Sequence, residues 1–302
     1  MIVADQPLGD HVTVLADEHG GRYPFGNPIL VRGAEETALI DPSLVVVARG
    51  PRDRPRADRV LLSHCHEDHL AGLHLHPDAV VMLHEADAPG LRSLDGMMAI
   101  YGMEGPAGAI FREAVLRDFH WVARPDATTL RDGDVIDLGG GVRVRVVHAP
   151  GHTRGHCVFA IEPDDVLYLG DIELTSFGPY YGDAWSSLED FERSLERVRA
   201  IDARWYATFH HVGVLEGRAA FLERLDRFAA MIGDRERRLL DFLAEPRSLD
   251  EIVAHRFVYR PGDAVPWADA VERRSMAQHL SRLEPAGRVS EVEPGRWRTV
   301  AR

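Results

Sequence analysis

The stretch Ser63-His64-Cys65-His66-Glu67-Asp68-His69 places three histidines and an aspartate within six residues. It follows directly on Arg59–Ser63, a run of buried-strand type. Side chains alternate along an extended chain, so His64 and His66 point the same way. The turn that follows can fold Asp68 and His69 back towards a second point. Imidazole together with carboxylate suits zinc, iron or manganese rather than calcium or magnesium. Polar groups rarely gather this densely at a strand end without a task. A divalent cation held there would lower the pKa of a bound water towards about 7. The chemistry to expect is therefore hydrolysis without a protein nucleophile, and the chain has no Gly-x-Ser-x-Gly motif.

Three later segments place ligand-type residues after apolar strands in the same way. They are His148-Ala149-Pro150-Gly151-His152 with His156, Leu169-Gly170-Asp171, and Phe209-His210-His211-Val212-Gly213. One rim of a sheet sandwich could gather them all. The strands that must do this are expected at Val12–Ala16, Ile29–Val31, Thr37–Ile40, Arg59–Ser63, Ala79–Leu83, Val142–Val147, Cys157–Ile161, Val166–Leu169 and Trp205–Phe209. Amphipathic helices are expected at Leu188–Ala200 and Arg218–Met231. The tail reads differently. Helices are expected at Arg235–Leu243, Leu249–His255 and Ala268–Leu283, the second opened by a Ser248/Glu251 capping box. A hairpin turning at Pro294-Gly295 follows, so the order is that of a winged helix.

The order HxHxDH (His64, His66, Asp68, His69), then Gly-His (His152), then Gly-Asp (Asp171), then a late histidine resembles the metallo-β-lactamase superfamily. The resemblance covers roughly residues 10–230. It implies an α/β fold, a four-layer αββα sandwich with the metals at one edge. Carried over residue by residue, it implies that His64, His66 and His152 hold one divalent ion and that Asp68, His69 and His211 hold a second. Asp171 would bridge the two. His211 best matches the late family histidine, with its neighbour His210 as the alternative. Zinc is the first expectation for the metals, with iron or manganese as alternatives. Asp68 and Asp171 are the expected catalytic carboxylates, Asp68 orienting the nucleophile and passing a proton to the leaving group. The expected activity is attack by a metal-bridging hydroxide on a small-molecule thioester, lactone or ester. A phosphodiesterase or endonuclease of the same fold, a mononuclear-iron oxygenase and a metal-dependent DNA-binding regulator remain as alternatives. A body followed by a winged-helix-like tail further resembles β-lactamase-like hydrolases with a small C-terminal domain. Domains are accordingly expected at residues 1–232 and 233–302.

Composition bounds the partners. All 35 cationic side chains are arginine and none is lysine, which excludes Schiff-base chemistry and a P-loop lysine. The net charge of −13 argues against a nucleic-acid partner. From residue 234 onward 13 arginines face 12 acidic residues, so nearly all the negative charge lies in the body. That near balance favours a tail that caps the site rim or makes a homodimer contact, over one whose Arg273, Arg274, His279 and Arg282 touch phosphates. No run approaches 18 apolar residues, so no membrane span is expected. The first ten residues have no basic start or long apolar stretch, and the cytoplasm is the expected location. Cys65 and Cys157 read as small buried residues without a role. His148 and His156 are expected to support ligands rather than be ligands. Residues 94–118 (Met97, Met98, Ile100, Tyr101, Met103) and 176–186 (Phe177, Tyr180, Tyr181, Asp183) could overhang the site, although apolar helical stripes are more often core.

Overall fold

The computed structural model describes residues 4–263 and 265–300. The outer ends of the two expected domains, residues 1 and 302, lie outside them. Seven strands form the first sheet in sequence order: β1 (Gln6–Pro7), β2 (Val12–Val14), β3 (Ile29–Arg32), β4 (Thr37–Ile40), β5 (Arg59–Leu61), β6 (Val80–His84) and β7 (Thr128–Leu130). Pairing is antiparallel as far as β4 and parallel from β4 to β7. The second sheet runs β13-β12-β11-β10-β9-β8 and is built from β8 (Val135–Asp137), β9 (Arg143–His148), β10 (Cys157–Glu162), β11 (Val166–Tyr168), β12 (Trp205–Ala207) and β13 (Val214–Glu216). Only its β11–β12 pair is parallel.

Strand alternation explains why the sheets stack. Along β10, Cys157, Phe159 and Ile161 face the core between the sheets, while Val158 and Ala160 face outward beneath helices. Ala38 and Ile40 of β4 and Leu61 of β5 meet Val144, Val146 and Tyr168 in that inner core. The helices are α1 (Leu44–Ala48), α2 (Ala88–Arg92), α3 (Leu94–Tyr101), α4 (Gly105–Arg117), α5 (Leu188–Arg199), α6 (Arg218–Phe242), α7 (Leu249–His255) and α8 (Ala268–Leu283). α1 to α4 cover the first sheet, with Leu91, Met97, Ile100, Phe111 and Val115 packed on Val60, Leu62, Val81 and Leu83. α5 and α6 cover the second. The four-layer αββα sandwich read from the motif order is thus present.

The tail departs from expectation at its start. The helix break expected near Gly233 is absent, because α6 runs unbroken for 25 residues. Phe221, Leu225, Phe228 and Ile232 belong to the body's core, and Leu239 and Leu243 to the tail's. Gly233 costs about 1 kcal/mol relative to alanine inside a helix, a cost that apolar packing on both sides outweighs. Both hydrogen bonds of the Ser248/Glu251 capping box are formed. β15 (Val289–Glu293) and β16 (Arg296–Thr299) form the hairpin, and β14 (Arg247–Ser248) pairs with β16 to make a three-stranded sheet. Among the described residues no helix is long and apolar enough to cross a membrane.

Candidate metal centre

The ligand-type side chains leave the C-terminal ends of β4, β5, β9, β11 and β12, which lie at one edge of the sandwich. Each loop is locked from behind. After β4, Asp41 is fully buried and accepts four hydrogen bonds: from the Ser63 amide at 2.7 Å, Ser63 Oγ at 2.6 Å, His69 Nδ1 at 2.9 Å and Tyr168 Oη at 2.8 Å. The loop carrying His152 is stapled by Asp87, which accepts from Thr153 Oγ1 at 2.6 Å and from the Gly155 amide at 2.7 Å. Gly151 lies at φ +130°, and a Cβ there would come within 2.3 Å of the Phe191 backbone, so the loop closes on α5 only with glycine. His156 Nδ1 donates to the Ala149 carbonyl at 3.0 Å, and its Nε2 accepts from the Asp171 amide at 3.1 Å. Burial lowers its pKa to about 3, which keeps Nε2 free to accept.

Two groups of buried ligand atoms result. His64, His66, His152 and Asp171 offer atoms all within 4.8 Å of one another, and so do Asp68, His69 and His210. His152 Nε2 lies 3.2 Å from His64 Nε2, 3.0 Å from His66 Nδ1 and 3.2 Å from Asp171 Oδ2. Asp171 reaches the other group through Oδ1, 3.0 Å from His69 Nε2. His210 Nε2 stands 2.8 Å from Asp68 Oδ2.

The late histidine corrects the reading of the sequence. The structure brings in His210, not His211. The His210 ring is buried, and its Nδ1 faces the Gly21 and Phe25 carbonyls at 3.0 and 3.1 Å, leaving Nε2 directed into the site. His211 is exposed, and its backbone turns into the left-handed region at φ +52°. It borders the cavity without joining either group.

The donor set fits a pair of divalent cations. Asp68 Oδ2, His69 Nε2 and Asp171 Oδ1 are buried yet lack an aligned hydrogen-bond partner, despite their close approach to one another. Lone pairs directed at a shared point, rather than at each other, suit a cation. The electrostatics agree. Burial disfavours charge on His69, but Asp171, Asp68 and Asp41 outweigh it and raise its pKa well above the ordinary range. Burial likewise opposes charge on His210, yet Asp68 and Asp171 push its pKa up to about 10. His64, buried among other histidines, has its pKa lowered. The carboxylates draw positive charge into a dry site.

Asp41, Glu67 and Glu173 escaped the sequence reading, and Asp183, expected only as part of an overhanging loop, sits beside a ligand. Asp41 has the same signal as the ligands, an acidic residue directly after an apolar strand. Asp183, with its side chain fully buried, holds Oδ2 3.0 Å from His66 Nε2 and accepts from Tyr180 Oη at 3.0 Å. Glu173, two residues past Asp171, reaches Asp171 and His210; burial first, and then Asp171, raise its pKa to about 7. Glu67 accepts from Tyr23 Oη at 2.9 Å and from Tyr101 Oη.

A cavity of about 350 Å³ opens over the two groups. Of the methionine-rich segment, Tyr101 and Met103 reach it, while Met97, Met98 and Ile100 pack in the core. Phe177 and Tyr180 also line it, and Tyr181 is buried behind against His279. The tail contributes Tyr259, Val265 and Trp267. The α8 cations considered for phosphate contact are engaged within the chain. Arg274 donates to the Tyr101, Gly102 and Gly182 carbonyls, Arg282 pairs with Glu192 and Glu236, and Arg273 pairs with Asp250.

The sequence model of the metallo-beta-lactamase superfamily matches residues 22–227, and the chain belongs to that superfamily. Acyl-coenzyme A thioesterase MBLAC2 of Bos taurus is 29% identical over 221 residues, 65% of this chain and 75% of that one. Hydroxyacylglutathione hydrolase of Methylococcus capsulatus is 30% identical over 213 residues, 66% of this chain and 70% of that one. Among solved structures, a metallo-beta-lactamase family protein from Thermus thermophilus superposes with a TM-score of 0.70 at 26% identity, covering 97% of this chain and all of that one. The superposition therefore extends over the tail. By fold, site residues and relatives the protein is a metallo-hydrolase.

Proposed function

We propose that this protein holds two divalent cations, zinc first among the candidates, and hydrolyses a small acyl substrate, a thioester, lactone or ester. The observation that carries the reading is the convergence of buried, unpartnered ligand atoms at the floor of a mostly apolar cavity. His64, His66 and His152 would hold one ion, Asp68, His69 and His210 the other, with Asp171 between them. Bound there, the ions would supply an acidified water and a polarising contact for the acyl oxygen. The chain's own part is to orient and to move protons. Asp41 holds His69 through the ring nitrogen that faces away from the site, and Asp183 lies beside the corresponding nitrogen of His66. Asp68 borders both the cavity and the second group, so its carboxylate can take a proton from the attacking water and return it to the leaving sulfur or oxygen. The aromatic walls exclude bulk water. Residues 233–302 act, in this reading, as a winged-helix-like cap rather than a nucleic-acid reader.

The test combines metal analysis with a panel of thioester, lactone, ester and phosphodiester substrates. Two ions per chain and turnover of acyl substrates are expected. His210→Ala should lose one ion and at least about 100-fold in kcat/KM, the scale of losing an electrostatic group at the reacting centre. His211→Ala should keep both ions. Two ions retained in His210→Ala, or turnover of phosphodiesters alone, would overturn the proposal.

A further inference from the structure

The cavity wall away from the metal groups is formed by Met103, Phe111, Phe177, Tyr259, Val265 and Trp267. Half of these residues come from two body elements, Met103 and Phe111 around α4 and Phe177 from the loop after β11. The other half come from the tail, and Trp267 packs edge-on to Phe111 with ring centroids 5.6 Å apart. No arginine lines the cavity among the described residues, and the chain has no lysine. The ionisable groups that do face it, apart from histidines and tyrosines, are Glu67, Asp68, Asp171 and Glu173. None of these four carboxyl groups belongs to that apolar wall, which offers a substrate no charged side chain. A carboxylate entering the far wall would shed its water against rings and methyl groups without a cation to meet it, which is costly.

We infer that the tail-built wall makes this cavity selective for uncharged acyl groups and that Trp267 sets their length. The inference rests on the acyl-hydrolase reading of the same site. A cavity of about 150 Å³ holds one benzene, so 350 Å³ accommodates the carbonyl and leaving atom together with an acyl chain of roughly six to ten carbons. Acyl groups ending in a carboxylate are excluded. So are compact substrates whose recognition requires a carboxylate held beside the reacting centre.

The experiment uses the full chain and two probe pairs of equal length. Calorimetry on metal-free protein compares N-acetylcysteamine thioethers bearing a hexyl or a 5-carboxypentyl chain. The hexyl probe should bind at least about 10-fold tighter. Metal-loaded protein is then given the hexanoyl and adipoyl thioesters of N-acetylcysteamine, and kcat/KM should favour hexanoyl by at least about 100-fold. Binding constants within threefold of each other, or no binding of the hexyl probe, would overturn the inference. If hexyl is preferred in binding yet the metal-loaded protein turns over no thioester, lactone or ester, the hydrolase reading fails while the cavity's preference for the uncharged chain stands. If both thioesters are cleaved equally, the hydrolase reading stands and the inference fails. Trp267→Ala should raise the dodecanoyl-to-hexanoyl ratio of kcat/KM about fivefold or more. Val265→Ala should move it the same way by less, which guards against a tail that simply unfolds in the first variant. An unchanged ratio in both removes Trp267 from its role.

Discussion

Asp41→Asn changes one atom behind the metal centre, and its effect can be worked through from the hydrogen bonds. Oδ1 of Asp41 accepts from the Ser63 amide alone, and Oδ2 accepts from Ser63 Oγ, Tyr168 Oη and His69 Nδ1. An asparagine must turn its NH2 group towards one side. Facing Oδ1's partner, it meets a backbone N–H that cannot rotate away. Facing Oδ2's partners, it meets three donors, of which only the hydroxyls can reorient. The substitution in either orientation leaves at least one buried donor without an acceptor, about 1–3 kcal/mol. It also removes the negative charge behind His69. Asp41 makes His69 carry its proton on Nδ1, which frees Nε2 to face Asp171 and Asp68. Loss of such support commonly costs 10–100-fold in metal affinity, about 1.4–2.7 kcal/mol. The variant should therefore bind one zinc ion as the parent does and the second 10–100-fold more weakly, while the metal-free protein loses about 2 kcal/mol of stability. Zinc titration against a chromophoric chelator reads the first effect and urea unfolding the second. Two ions bound within threefold of parental affinity would refute the reasoning, and so would equal weakening at both sites.

Two further outcomes follow from the tail. Arg235, 1% exposed, donates to the Phe177 and Pro179 carbonyls at 2.6 and 2.5 Å. Arg235→Met should cost about 2–5 kcal/mol in urea unfolding, because two carbonyls lose charged donors; a loss below about 1 kcal/mol would show that the loop does not need the clamp. Glu236 is held down to about 2 by His279, whose Nδ1 lies 3.7 Å away, and by its ion pair with Arg282. Its folded pKa lies below its ordinary 4.5, so its contribution is complete above that value and disappears as pH falls towards about 2. The stability gap between parent and Glu236→Gln should open across that window, and a gap independent of pH would contradict the assignment.

The parts of the centre set by strand ends were legible in the sequence. His64, His66, Asp68, His69, His152 and Asp171 each follow an apolar run, and the structure gathers them. Asp41 obeys the same rule after Thr37–Ile40, but Asp41-Pro42 looks like an ordinary turn until Ser63 and His69 are seen packed against it. The choice between His210 and His211 depends on which residue takes the left-handed conformation in a short turn, and a tandem pair carries no signal for that. The unbroken α6 was missed for a local reason. Its buried stripe continues in phase as Phe221, Leu225, Phe228, Ile232, Arg235 and Leu239, and an arginine two residues past a glycine reads as an interruption. Tyr259 and Trp267 could be seen as aromatic, but their place in the cavity wall depends on how the tail docks, which only long-range packing determines.

The single helix α6 also bears on how a substrate gets in. At 1.5 Å per residue its 25 residues form a rod of about 37 Å, with one end in each hydrophobic core. A rod anchored in this way works as a fixed strut, not a hinge, so the roof cannot lift away as a whole. Of the tail, it is Tyr259 and Trp267, between α7 and α8, that border the cavity, and their side chains can turn while the strut holds still.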